Sequence, residues 1–501
     1  MKTVTVFVGL GGTGTQIATA IGNLYPVLQE AKIITSPFEM YILDKDTNSG
    51  IFKACTSACQ RYESYSTFLP FDTLLPAYNL KHNIYQELQE KTGFKDKDYN
   101  IMDIIGKDTV MQELAAMCWK EEKREESIKD GNNRDPSRGH LDAVVCLEHL
   151  EESSFFAGIN KLIAGGGETS VRIVMLGGVT GGMGSSLIVP LAQRIHKKWN
   201  NIRIDMVLLG TYFGIPQRPI PKDGKDIDNI GTSVDSYYRA ADQIEELAGI
   251  STDIDNWRVY YAAMPGFDNT CGEFKKNAPV PRKFHILELC AALAAFAIEE
   301  EKPGFYGTAL SYDDGDPNSC IKWAEIPLGD KIKKPAITLM RLISILASAV
   351  LPELQNQQKI KNSNYLKKYF KGKQSNNIET IERMRELLDR WLQDITPLFN
   401  LWNEIQGSTK LGNKNNRQIV SLFPTENKQM ENLDRLLKKE KDNFENKIPL
   451  LDQEDESWLN FEHTYLKPNK DKLTATKNEP NEILKLMIKD IYTKLQDKEV
   501  V

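Results

Sequence analysis

Cysteine and histidine are too scarce in this 501-residue chain to predict a disulfide framework or a metal centre built from them. Of the seven cysteines, only Cys55 and Cys59 lie close together, and no second pair matches them. None of the six histidines has the HExxH spacing of a metalloprotease. We therefore expect buried thiols, because an unpaired cysteine behaves mostly as a small apolar residue.

An excess of positive charge is also absent. The chain has 63 Lys and Arg against 69 Asp and Glu, a net charge of −6, so a general nucleic-acid surface is not predicted. The longest apolar stretch, Ala336–Leu351, contains Arg341 and falls short of the roughly 20 residues of a membrane span. The opening MKTVTVFVGL does not have the pattern of a secretory signal. We expect a cytoplasmic protein with no membrane span and no direct nucleic-acid partner.

Short runs of Val, Ile, Leu and Met alternate with helical patterns in residues 1–300, which is typical of an α/β fold. Few of these runs alternate polar with apolar residues, so they fit a parallel sheet that is buried on both faces. The segment 50–140 interrupts the rhythm and is interpreted as an insertion. The predicted strands are Thr3–Gly9, Glu39–Asp44, Val171–Gly177, Ile204–Gly210 and Arg258–Met264.

Two further regions follow, over residues 301–355 and 356–501. The first is predicted to begin with a loop, 304–319, and to end in the apolar helix near Ala336–Leu351. The second is mainly helical, with apolar residues recurring at three and four positions. Such stripes either pack on the chain's own core or bind a partner. They consist of Ile378, Ile381, Met384, Leu388, Trp391, Ile395 and Leu398; of Met430, Leu433 and Leu437; and of Ile483, Leu484, Met487, Ile491 and Leu495.

A glycine-rich loop follows the first predicted strand and leads into a helix. Glycine lets the backbone turn sharply and approach a phosphate, and the helix N-terminus offers free N–H groups to an anion. The loop therefore predicts a phosphate site, although dinucleotide-binding domains use a similar one. Its candidate binding residues are Gly9, Gly11, Gly12, Thr13, Gly14, Thr15 and Gln16.

Two aspartates, Asp44 and Asp46, stand at the end of the second predicted strand. In a dinucleotide-binding domain, a carboxylate here binds the ribose. In a nucleoside triphosphate site it faces the phosphate-bound Mg²⁺, directly or through water, and Asp46 is the candidate metal residue. A third interpretation is a solvated turn.

A second strand, glycine loop and helix occur at residues 171–198. A dinucleotide fold ordinarily needs one such loop, so two loops favour a nucleotide whose phosphates are held from two sides. The sequence contains no GxxxxGK[ST], and the lysine of ordinary P-loop chemistry is missing. The candidate residues are Gly177, Gly178, Val179, Thr180, Gly181 and Gly182.

These loops resemble those of the tubulin/FtsZ superfamily, in a divergent bacterial or phage form. The segment 9–17 is similar to the first phosphate loop of FtsZ, and 177–182 to the GGGTGS/T signature, with Val179 in place of a glycine. Gly139, within 137–140, is similar to the tubulin loop at the γ-phosphate. The resemblance implies a tubulin-like domain that binds GTP or GDP with Mg²⁺, and a long central helix near Phe284–Glu300, with His285 beside the guanine.

In this family, carboxylates after the central helix act on the nucleotide of the next subunit. Here the corresponding stretch contains Asp313, Asp314 and Asp316, but the family's asparagine is missing and the spacing differs. These aspartates are candidate catalytic residues that position a water, or they form a solvated turn.

Three hypotheses follow. The first is a GTP-binding protein that self-associates head to tail into filaments or oligomers and hydrolyses GTP slowly. The second is a non-hydrolysing, nucleotide-dependent scaffold or defence-system component that recruits a partner through its C-terminal helices. The third is an NAD-type dinucleotide-binding protein.

Overall fold

The computed structural model describes most of the chain in segments. They are residues 2–60, 79–93, 97–127, 139–141, 147–164, 169–210, 241–242, 244–245, 247–249, 257–264, 283–311, 316, 319–355, 378–407, 420–423 and 479–496.

The described strands form one parallel sheet of seven strands, in the order β3-β2-β1-β4-β5-β6-β7. All five predicted strands are present, and two edge strands are added. The predicted α/β class with a parallel sheet is therefore confirmed. The strands are β1 Lys2–Leu10, β2 Phe38–Leu43, β3 Asn79–Asn83, β4 Thr169–Gly178, β5 Arg203–Leu209, β6 Trp257–Ala263 and β7 Gly304–Ala309.

Strand β7 corrects the prediction of a loop over 304–319. Its six residues, GFYGTA, pair in parallel with β6 from Arg258–Gly304 to Ala263–Ala309. The sequence signal is weak because β7 is an edge strand with two glycines and partly exposed side chains. Strand β3 was also missed, since it lies in the insertion and its sequence, NLKHN, is polar.

Helices cover both faces of the sheet. They are α1 Gly11–Glu30, α2 Gly50–Gln60, α3 Ile84–Thr92, α4 Ile101–Ile105, α5 Thr109–Cys118, α6 Glu121–Glu125, α7 Ser154–Ala164, α8 Gly184–Lys198, α9 Ile286–Ala297, α10 Gly329–Ile345, α11 Leu351–Gln355, α12 Ile378–Gly407 and α13 Pro480–Gln496. Helix α9 is the predicted central helix, and short 3₁₀ turns occur at Leu150–Glu152, Ile298–Glu300 and Trp323–Glu325, with a π turn at Leu346–Val350.

The described C-terminal helices belong to the core. Helices α1, α9, α10, α12 and α13 share one apolar cluster with the sheet face that carries Phe7 and Ile42, while α3, α7 and α8 pack on the other face. The predicted stripes on α12 and α13 point into this cluster; Ile378 alone of their residues is exposed. The mainly helical C-terminal region is thus confirmed, and these stripes are not free partner surfaces. The stripe of Met430, Leu433 and Leu437 lies outside the described residues.

No described helix is both long enough and apolar enough to cross a membrane. The helix predicted near Ala336–Leu351 is α10 with its continuation, and it is buried in the protein core. The boundaries at residues 300 and 355 stay predictions.

Candidate functional site

The two glycine loops lie side by side at one edge of the sheet. Strands β1 and β4 are parallel neighbours, paired from Lys2–Thr169 to Gly9–Leu176, so both loops leave the sheet at its carboxyl edge. Between β1 and β4 the chain order reverses, with β2 and β3 on one side and β5 to β7 on the other. In open α/β sheets, ligands bind in the crevice at such a switch point.

Close backbone contacts join the two loops. A β-carbon on Gly14 would collide with the Leu176 carbonyl oxygen, and one on Gly178 would lie 3.1 Å from the Thr13 side chain. Gly11 has a left-handed φ of +62°, and its β-carbon position lies 3.0 Å from the Gly184 nitrogen. Gly9 and Gly177 are similarly enclosed. The glycines therefore let two loops share a space that side chains would fill.

Gly139 brings a third segment to this place. A β-carbon on Gly139 would overlap the carbonyl oxygen of Gly182, and the residue is buried. The sequence had placed Gly139 at the phosphates by resemblance alone. Its contact with the second glycine loop fits that position, although residues 137 and 138 lie outside the described part of the chain.

Two positions among these loops remain open. No described atom lies within 4 Å of a β-carbon built on Gly12 or on Gly181. Thr13 and Thr180 are partly exposed beside them, while Val179 is buried and donates its N–H to the Leu209 carbonyl. The glycine loops thus present Gly12 and Gly181 toward open space and use Val179 as core.

Helices α1 and α8 both start at these loops without side-chain caps. Their N-cap residues, Leu10 and Met183, make no capping hydrogen bond, and neither first turn contains an acidic residue. In the first turn of α8, the Ser186 hydroxyl donates back to the Gly182 carbonyl at 2.7 Å. Uncapped N–H groups from two helices at one edge suit an anion, because the helix dipole is positive there.

Asp44 connects the acidic strand end to the first loop. Its Oδ2 lies 3.2 Å from the Thr15 hydroxyl, which is also 2.9 Å from the Gly11 carbonyl oxygen. Its Oδ1 accepts the Asp46 N–H at 3.2 Å. Asp44 is buried, and burial raises the pKa of its carboxyl to about 7, against smaller opposing effects from these hydrogen bonds. Asp46 is only partly buried.

The sequence missed Asn83 at this strand end. The Asn83 side chain donates to the Asp44 carbonyl at 2.8 Å and accepts from the N–H groups of Asp44 and Tyr85. It thereby fixes the turn that holds Asp44 and caps α3. The only available signal was an Asn just before a helical pattern, and without the β3 prediction it could not be placed beside Asp44.

Lys45, also missed, points to the other face of the sheet. It is buried, with its Nζ 4.4 Å from the centre of the Tyr99 ring and 5.7 Å from that of Tyr85. Asp44 and Lys45 follow the end of β2, and Tyr85 belongs to the apolar cluster on the face opposite Phe7 and Ile42. Lys45 therefore does not replace the missing P-loop lysine.

His285 and Gln16 lie on neighbouring helices. His285 is wholly buried as the N-cap of α9, and its Nδ1 accepts the Leu287 N–H at 3.2 Å. Gln16, in the first turns of α1, is also buried, and neither atom of its amide has a hydrogen-bond partner among the described residues. A buried amide needs hydrogen-bond partners, from a ligand or from ordered water, so Gln16 is suited to a bound polar group.

The predicted catalytic aspartates do not directly follow the central helix. They come after β7, whose carboxyl end is at the same edge as the glycine loops. At about 4.8 Å per strand, β7 lies roughly 19 Å from β1 along the sheet. Asp316 is exposed, and its carbonyl accepts the Ser319 N–H at 3.1 Å; Asp313 and Asp314 lie outside the described residues.

The described side chains contain no cluster of metal-binding types. In the described part of the chain, no three His, Cys, Asp or Glu side chains are grouped as metal ligands. A Mg²⁺ ion beside Asp46 would take its other ligands from phosphate and water, as this cation often does.

Comparisons with known proteins give distant structural likenesses. No protein-family model and no curated protein matches the chain. CetZ from Methanosaeta thermophila strain DSM 6194 is similar at 14% identity, over 60% of this chain and 54% of that chain, with a TM-score of 0.28. CetZ2 from Haloferax volcanii, a GTPgS-bound protofilament, is similar at 13% identity, over 61% of this chain and 64% of that chain, also with a TM-score of 0.28.

The matches therefore span less than two thirds of either CetZ chain. At such TM-scores, no ligand, site residue or assembly is transferred from them to this chain.

Proposed function

We propose that this chain is a tubulin-like protein that binds a guanine nucleotide, GTP or GDP, with Mg²⁺ at the carboxyl edge of its sheet. The observation that carries the proposal is the pair of glycine loops on the adjacent strands β1 and β4, each followed by a helix without a side-chain cap. Two helix N-termini without side-chain caps thus lie at one edge of the sheet, where their dipoles favour the phosphates of a nucleotide.

Each part of the site has a role in this proposal. The backbone of Gly11–Gly14 and of Thr180–Gly182 binds the phosphates, and the hydroxyls of Thr13 and Thr180 add donors. The side-chain amide of Gln16 hydrogen-bonds to the nucleoside, and His285 lies beside the guanine base. Mg²⁺ bridges the phosphates and Asp46, directly or through water.

Strand order does not exclude the dinucleotide hypothesis, because 3-2-1-4-5-6 is also the order of dinucleotide-binding folds. The acidic residue weighs against it. Both carboxylate oxygens of Asp44 already have partners within the protein: Oδ2 accepts from the Thr15 hydroxyl and Oδ1 accepts from the Asp46 N–H. The second glycine loop also has no role in that hypothesis.

Self-association is the second part of the proposal. In a head-to-tail assembly, the carboxyl edge of one copy meets the opposite edge of the next. Exposed acidic residues at that opposite edge include Glu299, Glu300 and Glu301, which follow α9 directly. A neighbour's carboxylate would thus come from these residues rather than from Asp316.

A non-hydrolysing scaffold is the second candidate function. The observation that favours it is the position of the predicted catalytic aspartates after β7, at the same edge as the glycine loops. In that case nucleotide binding controls assembly or partner binding without turnover.

The test is direct identification of the ligand. The purified chain is denatured, the released nucleotide is identified by mass, and GTP, GDP, ATP and NAD are titrated by calorimetry. We expect guanine nucleotides to bind most tightly. Preferential binding of NAD would support the dinucleotide hypothesis, and no binding of any of the four would contradict the proposal.

A further inference from the structure

A side chain from the C-terminal helical region contacts the start of the central helix. Glu404, in α12, accepts the backbone N–H of Phe284 through its Oε2 at 3.0 Å, across 120 residues of sequence. Phe284 directly precedes His285, the N-cap of α9. The contact therefore reaches the N-terminus of α9, at the opposite end of the helix from Ala295, whose carbonyl accepts from Arg172 near the amino end of β4.

The start of α9 has its own caps, and Glu404 is additional to them. His285 accepts the Leu287 N–H at 3.2 Å, and Glu288 accepts the His285 N–H at 3.0 Å, which together form a capping box. These bonds suffice to begin the helix. What Glu404 adds is a connection between the N-terminus of α9 and a helix from another region of the chain.

The Glu404 side chain lies in surroundings that disfavour its charged form. Burial is the main factor that raises the pKa of Glu404, to about 7, and the nearby Glu288 raises it further. Lys283 and the Phe284 N–H act in the opposite direction. The hydrogen bond from the Phe284 N–H offsets part of this desolvation.

The neighbouring packing carries the contact toward the glycine loops. Helix α9 packs along α1, which starts at the first glycine loop, and α12 packs against α1, α10 and α13. A shift of α12 would therefore move the Phe284 backbone relative to α1. Since His285 is wholly buried at that point, it has little freedom to compensate.

We propose that Glu404 is a positioning residue for the nucleotide site: by holding the Phe284 backbone it fixes His285 at the base, and it couples the packing of the C-terminal helices to nucleotide affinity. This inference rests on the proposed function. By linkage, the nucleotide would in turn favour the arrangement of α12 that keeps the hydrogen bond.

The test compares two substitutions of similar volume. Glu404→Met removes the acceptor, and Glu404→Gln keeps an acceptor at the same length. We expect GTP affinity, measured by calorimetry, to fall about tenfold in Glu404→Met and to stay within about twofold of wild type in Glu404→Gln. Glu386→Ala, an exposed position on the same helix, is the matched control and should leave affinity unchanged.

A thermodynamic cycle with His285→Ala tests the route. If Glu404 acts through His285, the effect of Glu404→Met on affinity should disappear in the His285→Ala background. An undiminished effect there, or wild-type affinity in Glu404→Met, would overturn the inference while leaving the proposed function intact. If the wild-type chain binds no guanine nucleotide, the proposed function itself fails. Should Glu404→Met not fold, a loss of affinity of about tenfold in a folded Glu404→Gln would contradict the acceptor role, and affinity within about twofold of wild type would support it.

Discussion

Arg172 and Asp205 form an ion pair in which both side chains are almost wholly buried, with 2.5 Å between Nε and Oδ2. The pair lies near the amino ends of β4 and β5, at the edge opposite the glycine loops. Arg172 also donates to the Ala295 carbonyl at 2.7 Å, and Arg203 donates to the carbonyls of Ile298 and Glu299 at 2.7 Å each. The two arginines thus donate hydrogen bonds to the carbonyl groups at the C-terminal end of α9, where the helix dipole is negative.

Arg172→Met should destabilise the fold strongly, because it leaves the carboxylate of Asp205 buried with weaker partners. We expect the free energy of unfolding in urea to fall by about 3–5 kcal/mol. Arg383→Ala, which breaks the exposed pair with Glu386, should cost less than about 1 kcal/mol. A double variant, Arg172→Met with Asp205→Leu, should recover much of the loss; equal damage in the double variant would argue against the unpaired charge as the cause.

Gly14→Ala and Gly12→Ala should separate loop packing from ligand binding. A methyl group introduced at position 14 would meet the Leu176 carbonyl, so Gly14→Ala should lower the melting temperature and abolish GTP binding. Gly12 has open space around its β-carbon position, so Gly12→Ala should keep the wild-type melting temperature. If Gly14→Ala binds GTP normally, the loops are not packed as described.

Gly181→Asp should weaken nucleotide binding without unfolding the protein. Position 181 has room for a side chain, but a carboxylate there would repel phosphate oxygens. We expect at least about a tenfold loss of GTP affinity by calorimetry, with Gly181→Asn as the uncharged control. Unchanged affinity in the aspartate variant would remove this loop from the phosphate site.

Stability should depend on pH through Glu404. Its pKa is about 7 in the folded state, above the 4.5 of the free carboxyl, so the folded state holds the proton more tightly. Stability should therefore fall as pH rises from about 4.5 to about 7, by at most about 1.4 kcal/mol per unit and by less where solvent reaches the group. Urea unfolding of Glu404→Gln should show a flatter profile across this window; matching profiles would mean that Glu404 does not titrate there.

Mg²⁺ should strengthen nucleotide binding through Asp46. Chelation with EDTA should lower GTP affinity, and Asp46→Ala should reduce the size of that effect, because one ligand of the hydrated ion is lost. Glu382→Ala, at an exposed position on α12, is the control. Calorimetry with and without EDTA measures both, and an affinity insensitive to EDTA would leave Asp46 as part of a turn.

Turnover, if it depends on assembly, should rise per molecule with protein concentration. Replacing Glu300 and Glu301 by glutamine should then reduce GTP turnover while nucleotide binding stays near wild type, since they would serve the neighbour's nucleotide. Replacing Asp313, Asp314 and Asp316 by alanine should have the smaller effect. Turnover that is independent of concentration would contradict a site completed by a neighbour, and GTP-dependent light scattering without turnover would support the scaffold.

Sequence alone predicts the parallel α/β sheet, its five inner strands and the two glycine loops of the candidate site. These features are local: a run such as Val171–Leu176 specifies a buried strand, and Gly-rich segments specify turns wherever they occur. The order of strand, loop and helix then requires both loops to start at carboxyl ends. The apolar stripes of α12 and α13 were also predicted from the sequence. Their spacing could not show whether they pack on the protein core or bind a partner, because both kinds of helix face have the same period.

Which of these local features come into contact depends on the tertiary structure. The place of β7, the contact of Asn83 with Asp44, the buried pair of Arg172 and Asp205, and the bond from Phe284 to Glu404 all join residues distant in sequence. Neither periodicity nor composition encodes such pairings, because they depend on sheet order and helix packing. For the same reason, the sequence predicted that the acidic segment 313–316 would follow the central helix. Strand β7 lies between them in the chain, and because β7 is parallel to β6, the segment begins at the edge of the sheet that carries the glycine loops.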